Sequence, residues 1–325
     1  MELKGLHHVT AVTRQAERNL DFYTRVLGMR LVKKTVNQDD VSAYHLFYAD
    51  ANGSAGTEMT FFDWPMSVSN RPGVGGFAAT GLRVADREAL EWWKRRFADL
   101  EIPHGEIETV ASRERLSFAD KEGQALALVA DGGAPGGEPW AKSPVPARHA
   151  VKGLDSVALS VRRIEPTRLV LTEVMGFRPA AQYVNDEDNP ATVFEVGAGG
   201  AGTQVHVIED VTAAPHRLGA GGVHHVAFRT ASREEQAAWR ERIAAAGLPV
   251  SAQIDRFYFS SIYFREPGGT LFEIATDGPG FATDEDAEHL GERLSLPPFL
   301  EPHRAQIEAG LRPLESPEPV EGGAR

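Results

Sequence analysis

The sequence predicts an α+β fold of four βαβββ modules in two tandem halves, with mixed sheets that curl into cups. A short strand-like run led by glycine recurs four times, and a helix-forming stretch and further strands follow each run. Each module then closes with another strand led by glycine. The opening runs are residues 5–9, 76–80, 153–157 and 222–226, which begin 71, 77 and 69 residues apart. Spacing this regular indicates a fourfold repeat rather than a chance succession of β and α segments.

The helix of each module follows its opening strand. Residues 87–97 and 232–243 place apolar side chains at a period of 3.6, as expected for a helix with one buried face. The second of these helices is predicted to end at Gly247, because glycine is common just past a helix C-terminus. The first and third helices share an exit of apolar–Gly–apolar sequence, at residues 27–29 and 175–177.

The closing strands and the segments between modules complete the predicted organisation. The closing strands begin at Gly56, Gly123, Gly202 and Gly269. A segment rich in proline and glycine, residues 132–146, separates the second and third modules, so we divide the chain into an N-terminal half, 1–140, and a C-terminal half, 141–325. The C-terminal extension is predicted to be partly helical, at 284–294 and 301–311, and its last ten or so residues are expected to be loosely ordered.

Composition disfavours several classes of function. With 46 acidic and 34 basic residues the chain carries a net charge of −12, which disfavours binding to nucleic acid or to an anionic membrane. The absence of cysteine excludes thiolate nucleophiles, iron–sulfur clusters and cysteine-bound zinc. No apolar run approaches the ~20 residues of a transmembrane helix and no secretory signal is visible, so a cytoplasmic location is expected. The sequence leaves the oligomeric state open, with a homo-oligomer as one outcome.

Aligning the modules identifies one set of candidate metal ligands. The equivalent opening positions are His8, Ala79, Ser156 and His225, and the equivalent closing positions are Thr60, Ala127, His206 and Glu273. If module one pairs with module four, His8, His225 and Glu273 meet in one cup, with Thr60 at its neutral corner. The other cup, from modules two and three, then lacks a competent set of ligands. Tandem pairing, of one with two and three with four, is the alternative.

Two imidazoles and one carboxylate form the facial triad typical of non-haem Fe(II) oxygenases, which leaves other coordination positions open. Mn(II) also suits these ligands, whereas Zn(II) or Ni(II) would favour a fourth ligand that Thr60 does not offer. With 11 histidines in 325 residues, only about 0.4 His-His doublets are expected by chance. Two occur, at 7–8 and 224–225, and both fall at the same place in the repeat. Satisfied core histidines are the alternative interpretation, and His45 and His206 are interpreted as structural.

Longer motifs surround these residues. They are Leu-His-His-Val-Thr at 6–10, Tyr-His-Leu-Phe-Tyr-Ala-Asp at 44–50, Gly-Val-His-His at 222–225, Tyr-Phe-Arg-Glu-Pro-Gly-Gly-Thr-Leu-Phe-Glu at 263–273, Gly-Phe-Ala-Thr-Asp-Glu-Asp at 280–286 and Leu-Pro-Pro at 296–298. This set resembles the vicinal oxygen chelate superfamily and, more narrowly, its hydroquinone ring-cleaving dioxygenases. The resemblance covers nearly the whole chain.

The resemblance implies a role for most of the candidates. The implied iron ligands are His8, His225 and Glu273, the implied residues around the bound phenol are His7, His224, Arg256 and Tyr263, and the pocket includes Thr10, to which we add Thr60. A regular strand points neighbours to opposite faces, so His7 and His224 would face away from the metal unless a bulge or twist intervenes. The alternative for both is a buried histidine hydrogen-bonded behind the ligand strand. A surface turn beside Asp255 and an ordinary core aromatic are the alternatives for Arg256 and Tyr263.

The expected activity is Fe(II)-dependent opening of a hydroquinone-type or related diphenol ring, with the small aromatic diphenol and O₂ as partners. His224, His7 and Tyr263 are the candidate acid–base groups, and Arg256 would stabilise anionic oxygen. Two other classes stay open. One is a glyoxalase-type isomerase or lyase that uses Zn(II) or Ni(II) without O₂, and the other is a metal-free binding protein of the bleomycin-resistance kind.

Overall fold

The computed structural model describes residues 1–315 and contains the strands that four βαβββ modules require. Module one consists of β1 (Leu6–Thr13), α1 (Ala16–Asp21) with a π-helical continuation (Phe22–Val26), β2 (Arg30–Asn37), β3 (Asp40–Ala49) and β4 (Glu58–Asp63). Module two consists of β5 (Gly76–Val84), α2 (Arg87–Asp99), β6 (His104–Val110), β7 (Arg113–Ala119) and β8 (Ala125–Ala130). Module three consists of β9 (Leu154–Val161), α3 (Ile164–Leu169) with a π-helical continuation (Val170–Val174), β10 (Arg178–Val184), β11 (Pro190–Glu195) and β12 (Gln204–Glu209). Module four consists of β13 (Val223–Thr230), α4 (Arg233–Ala245), β14 (Ile254–Asp255), β15 (Ser260–Arg265) and β16 (Leu271–Thr276).

The strands form two eight-stranded mixed sheets, which confirms the predicted fold class. The first sheet has the order β14-β15-β16-β13-β1-β4-β3-β2, and the second has the order β10-β11-β12-β9-β5-β8-β7-β6. Strands β1 and β13 pair antiparallel in the middle of the first sheet, flanked by the parallel pairs β1–β4 and β13–β16. The pairing of module one with module four is therefore confirmed, and tandem pairing is wrong. Each sheet takes strands from both sides of residue 140. The sheets therefore do not test a division of the chain at that residue, and the two proposed halves stay a prediction.

Helices α2 and α4 confirm the two helices predicted from periodicity, and they pack on the second and the first sheet respectively. Asp86 caps the N-terminus of α2 and Ser232 caps that of α4, each by accepting a hydrogen bond from a backbone N–H of the first turn. Each helix buries a tryptophan, Trp93 or Trp239, against its sheet. None of the helices in residues 1–315 is long and apolar enough to cross a bilayer.

The prediction of a helix at 284–294 is wrong. This segment contains only a 3₁₀ turn, Ala287–His289, and otherwise lies as an irregular strap over the first sheet. The fully buried Lys33 on β2 anchors the strap, with its Nζ atom 2.7 Å from Asp284 Oδ1. Gly291 has a φ of +76° and lies so close to the Leu31 carbonyl that no side chain would fit there. These tertiary contacts override the local helical pattern.

The second helix of the extension is confirmed. A 3₁₀ turn, Glu301–His303, leads directly into α5 (Arg304–Gly310). Two further 3₁₀ turns lie at Ala147–His149 and Phe281–Thr283. The tail that is expected to be loosely ordered begins near residue 316 and lies outside the described residues.

Candidate metal centre and active site

The two His-His doublets lie at β-bulges where β1 pairs with β13. Strand β1 has one more residue than β13 across the doublet His7–His8, and β13 has one more residue than β1 across the doublet His224–His225. A bulge lets neighbouring side chains leave the regular alternation of a strand. The two rings of each doublet consequently lie in contact and nearly perpendicular, with centroids 5.0 Å apart in both cases.

His8, His225 and Glu273 converge on one face of the first sheet. Because β1, β13 and β16 are neighbours in that sheet, residues that are distant in sequence become adjacent in space. His8 Nε2 lies 3.3 Å from His225 Nε2, and Glu273 Oε2 lies 3.2 and 2.9 Å from these two nitrogens. All three side chains are buried.

These separations fit three adjacent ligands of one divalent ion. Ligand bonds of about 2.1 Å at right angles place neighbouring ligand atoms about 3 Å apart. Glu273 Oε2 is buried and faces the two imidazole nitrogens without a well-aligned hydrogen bond from residues 1–315, whereas its Oε1 atom accepts a hydrogen bond from the Ser261 hydroxyl. A bound cation would stabilise such an oxygen together with the imidazole nitrogens that face it. The three donors therefore fit a metal ion whose other positions stay open.

Electrostatics keep the carboxylate and one imidazole in the forms that bind metal. Burial raises the pKa of Glu273, but the nearby His8 and His225 outweigh burial and hold that pKa well below its usual range. Burial also lowers the pKa of His225, although Glu273 opposes this shift. An ionised carboxylate and a neutral imidazole are the forms that act as ligands.

His7 and His224 lie behind the ligands. His8 Nδ1 is 2.9 Å from His7 Nδ1, and His225 Nδ1 is 2.7 Å from His224 Nδ1. His7 Nε2 lies 3.1 Å from the Thr276 carbonyl oxygen, to which it donates, so that His7 Nδ1 can accept. When a metal occupies Nε2 of a ligand histidine, the Nδ1 atom of that ligand carries the proton. His7 and His224 are then placed to accept this proton's hydrogen bond and so to orient the ligand rings.

Glu58 is a buried carboxylate on β4 that the sequence analysis missed. Its Oε2 atom lies 3.4 Å from His7 Nδ1 and 3.9 Å from His8 Nδ1. Burial lowers the pKa of His7, but Glu58 outweighs burial and the pKa is raised overall. The acceptor role of His7 Nδ1 towards His8 belongs to the neutral form of His7. The available signal was strand alternation, since Glu58 lies two residues before Thr60 and thus on the same face of the closing strand.

A cavity with about 450 Å³ of empty volume opens beside the ligands. The side chains that line it are His8, Thr35, Val36, Asn37, Gln38, Asp39, His45, Phe47, Phe62, His225, Arg256, Tyr258, Phe259 and Tyr263. The Arg256 guanidinium donates to the Tyr263 hydroxyl at 3.4 Å and to the two carboxylate oxygens of Asp39 at 3.1 and 2.9 Å. Burial raises the pKa of Tyr263 well above its usual value, so this phenol keeps its proton at neutral pH. Asp39, in the turn between β2 and β3, was also missed by the sequence analysis.

Thr10 and Thr60, the predicted pocket residues, are fully buried and are not among the side chains of residues 1–315 that line the cavity. Their hydroxyl oxygens are 2.8 Å apart, and Thr60 Oγ1 is 2.9 Å from His45 Nε2. His45 lines the cavity, against the rings of Phe47 and Phe62 at centroid distances of 4.0 and 4.5 Å. Burial lowers the pKa of His45, which is therefore neutral. The Thr60 hydroxyl thus contacts a residue that lines the cavity, and the role of both threonines in the pocket stays a prediction.

Two βαβββ modules that curl around two imidazoles and one carboxylate form a cup of the vicinal oxygen chelate type with a candidate metal site. The model of the Glyoxalase/Bleomycin resistance protein/Dioxygenase superfamily matches residues 5–127 and 153–274, which together span all four modules. The chain belongs to this superfamily.

Three similar proteins align with nearly the whole chain. MhqA of Bacillus subtilis (strain 168), provisionally named a ring-cleaving dioxygenase, is 45% identical over 316 residues, which cover 97% of this chain and 100% of MhqA. The chlorohydroquinone/hydroquinone 1,2-dioxygenase of Sphingobium indicum is 30% identical over 321 residues, which cover 97% of each chain. A crystal structure of a protein from Bacillus subtilis subsp. subtilis str. 168, provisionally named a dioxygenase, superposes with a TM-score of 0.89 at 37% identity and covers 98% of this chain and 99% of that one.

Proposed function

We propose that this chain is a metal-dependent ring-cleaving dioxygenase that opens a hydroquinone or a related diphenol with O₂. Fe(II) is the proposed metal, and Mn(II) suits the same ligands. The observation that carries the proposal is the convergence of His8, His225 and Glu273, within 3.3 Å of one another, beside a cavity. The end-to-end likeness to a hydroquinone dioxygenase supports the choice of substrate. A cytoplasmic location and self-association stay predictions.

The protein supplies a buried, preorganised site for the metal and the ring. When bound by His8, His225 and Glu273, Fe(II) supplies a route for electrons from an ionised phenol to O₂. The aromatic side chains of the cavity wall, among them Phe62 and Phe259, favour a planar ring and reduce the access of water. Holding the reactants together in this enclosure replaces a random encounter in solution.

Tyr263 and Arg256 are placed to act on the hydroxyl groups of the substrate. The Tyr263 ring lies 5.8 Å from the His225 ring, so this part of the wall adjoins the metal ligands. Because the Tyr263 phenol is protonated at neutral pH, it can donate a proton or a hydrogen bond to a substrate oxygen. The guanidinium of Arg256 stabilises negative charge that develops on the same oxygen.

We assign His7 and His224 to positioning the ligands, and we favour Tyr263 as the acid–base group. Each of the two histidines contacts a ligand imidazole at Nδ1, on the opposite edge of the ring from the metal-facing Nε2. Within residues 1–315, the side chains that line the cavity include Tyr263 but neither of these histidines. A group that exchanges a proton with the substrate must come within hydrogen-bond reach of it.

Oxygen uptake by protein loaded with single metals tests the proposed function. The protein, loaded anaerobically with Fe(II), Mn(II) or Zn(II), is mixed with hydroquinone and then with catechol in an oxygen electrode. We expect O₂ consumption with hydroquinone and Fe(II), and loss of both tight metal binding and O₂ consumption in Glu273→Gln. The exposed Glu241→Gln on α4 makes the same chemical change away from the site and is expected to behave as wild type.

The same measurements separate the other two classes. Anaerobic turnover of a glyoxalase-type substrate by the Zn(II)- or Ni(II)-loaded protein, without O₂ uptake under any loading, would favour an isomerase. Binding of diphenols that persists in Glu273→Gln, with no turnover by any metal form, would favour a binding protein. Either result would overturn the proposed dioxygenase function.

A further inference from the structure

The second sheet forms a cup of its own between modules two and three. It contains an open pocket with about 500 Å³ of empty space, solvent at its mouth included, against about 450 Å³ for the pocket at the metal centre. Within residues 1–315, two groups of side chains have the spacing of metal ligands, His7 with His8 and Glu58, and His8 with His225 and Glu273. Both groups lie in the first sheet, so the second cup has no comparable ligand set. Apolar side chains would suffice to fill a vestigial cavity. Several polar side chains face it instead, and they need a physical explanation.

His206 is the first of these polar groups. It pairs with Ala158 across β12 and β9, as Glu273 pairs with Ala227 across β16 and β13, so it occupies the position of the carboxylate ligand in the other cup. Its Nδ1 atom is 3.1 Å from the Tyr183 hydroxyl oxygen, whereas its Nε2 atom is buried and has no hydrogen-bond partner within residues 1–315. Burial, followed by two nearby arginines, lowers the pKa of His206 to about 4, so the ring is neutral at pH 7.

Two guanidinium groups also line this cavity. A terminal nitrogen of Arg113 lies 2.5 Å from Oδ1 of the buried Asp155, so the charges of these two groups offset each other. Arg115 donates through Nε to Glu108 at 2.8 Å, and its two terminal nitrogens have no hydrogen-bond partner in the described part of the chain. Hydrogen-bond donors at His206 and Arg115 therefore remain available in a partly enclosed cavity.

We propose that the second cup is a binding site for a small organic carboxylate. The carboxylate oxygens would accept hydrogen bonds from the terminal nitrogens of Arg115 and from Nε2–H of His206, with the Tyr183 hydroxyl as donor to Nδ1. The small side chains of Ala79, Ala127 and Ala158 leave room beside these donors for an apolar carbon skeleton. A guanidinium matches a carboxylate in geometry and charge. The proposal does not depend on the metal centre or on the proposed reaction.

Alanine methyl NMR can localise such binding. Protein labelled with ¹³C in its alanine methyl groups and loaded with diamagnetic Zn(II) is titrated with benzoate, with uncharged benzyl alcohol and with inorganic phosphate. Ala79, Ala127 and Ala158 report on the second cup, whereas Ala227 and Ala275 report on the first sheet, so that binding at the metal centre is recognised separately. Single Ala→Gly changes assign these resonances.

We expect a saturable shift of the second-cup resonances with benzoate, which is absent with benzyl alcohol. Arg115→Gln and His206→Phe should each weaken benzoate binding at least about tenfold, because each removes a hydrogen bond to an anion. Arg95→Gln, on the exposed face of α2, is the matched control and should leave binding unchanged. No shift at 10 mM benzoate, or an equal shift with benzyl alcohol, would overturn the proposal. Phosphate that binds as tightly as benzoate would overturn its organic part.

Discussion

Replacing His7 with glutamine tests whether the histidines behind the ligands strengthen metal binding by orienting the ligand rings or transfer a proton during turnover. Glutamine can still donate towards the Thr276 carbonyl, but it offers no acceptor where His7 Nδ1 lies, 2.9 Å from His8 Nδ1. With metal on Nε2, the proton on His8 Nδ1 would then face only Glu58 Oε2, 3.9 Å away, which is too far for a hydrogen bond. An unpaired buried donor costs about 1–3 kcal/mol, so metal binding should weaken about 10- to 100-fold.

The assay separates metal affinity from turnover. Competition with a chelating dye gives the Kd for Fe(II) or Mn(II) in His7→Gln, in the equivalent His224→Gln and in the exposed control His289→Gln. Oxygen uptake is then measured at saturating metal, where a positioning role predicts that kcat returns to within about threefold of wild type, whereas an acid–base role predicts a persistent loss of about 100-fold or more. Unchanged metal affinity in both His7→Gln and His224→Gln would refute the reasoning. Because His224 is only partly buried, His224→Gln keeps the test valid if His7→Gln does not fold.

Three further predictions concern single hydroxyl or carboxyl groups. Tyr263→Phe should lower kcat about 100-fold and leave metal affinity unchanged, since only the proton donor is lost, and a normal kcat in oxygen uptake would exclude that role. Asp39→Asn should release Arg256 from its ion pair and raise kcat/KM about tenfold for a hydroquinone that carries a ring carboxylate relative to unsubstituted hydroquinone, which steady-state oxygen uptake with the two substrates measures. Asp120→Asn should stabilise the protein at pH 7 by up to about 3 kcal/mol but little near pH 4, as urea unfolding at both pH values would show relative to the exposed Asp99→Asn. Burial raises the pKa of Asp120 from 3.8 to about 6, so the unfolded carboxyl ionises first and wild-type stability falls as the pH rises between these values.

The regular spacing of the repeats predicts which positions of the modules are equivalent, and the two histidines and one carboxylate at those positions favour the pairing of module one with module four over tandem pairing. A βαβββ module fixes the places of its opening and closing strands in a sheet, so equivalent residues of two paired modules meet at the seam between them. Once modules one and four pair, this logic predicts the meeting of His8 on β1 with His225 on β13 and Glu273 on β16, although most of the chain separates them. Helices α2 and α4 were predictable for a simpler reason, because their apolar period is a local property.

Contacts between segments that no repeat relates could not be predicted in this way. The strap at 284–294 has a helical pattern, but the buried charge of Lys33 requires carboxylates beside it and draws Asp284 and Glu285 out of a helix. Likewise, the pairing of Asp39 with Arg256 joins two turns from opposite ends of the chain. Such pairs depend on the assembled sheet, and nothing in either local sequence indicates its partner.

The bulges explain why each ligand histidine follows another histidine. On a regular strand His7 would point to the face opposite His8 and could not touch its ring. The extra residue in β1 at this doublet, and the extra residue in β13 at the other, turn each preceding imidazole to within 2.9 Å of the ligand's Nδ1 atom. In the proposed site, one strand thus supplies both a ligand and the acceptor that orients it, and each of the two strands does so across their shared seam. A substitution that removes either bulge should therefore disturb the metal centre even when all three ligands are kept.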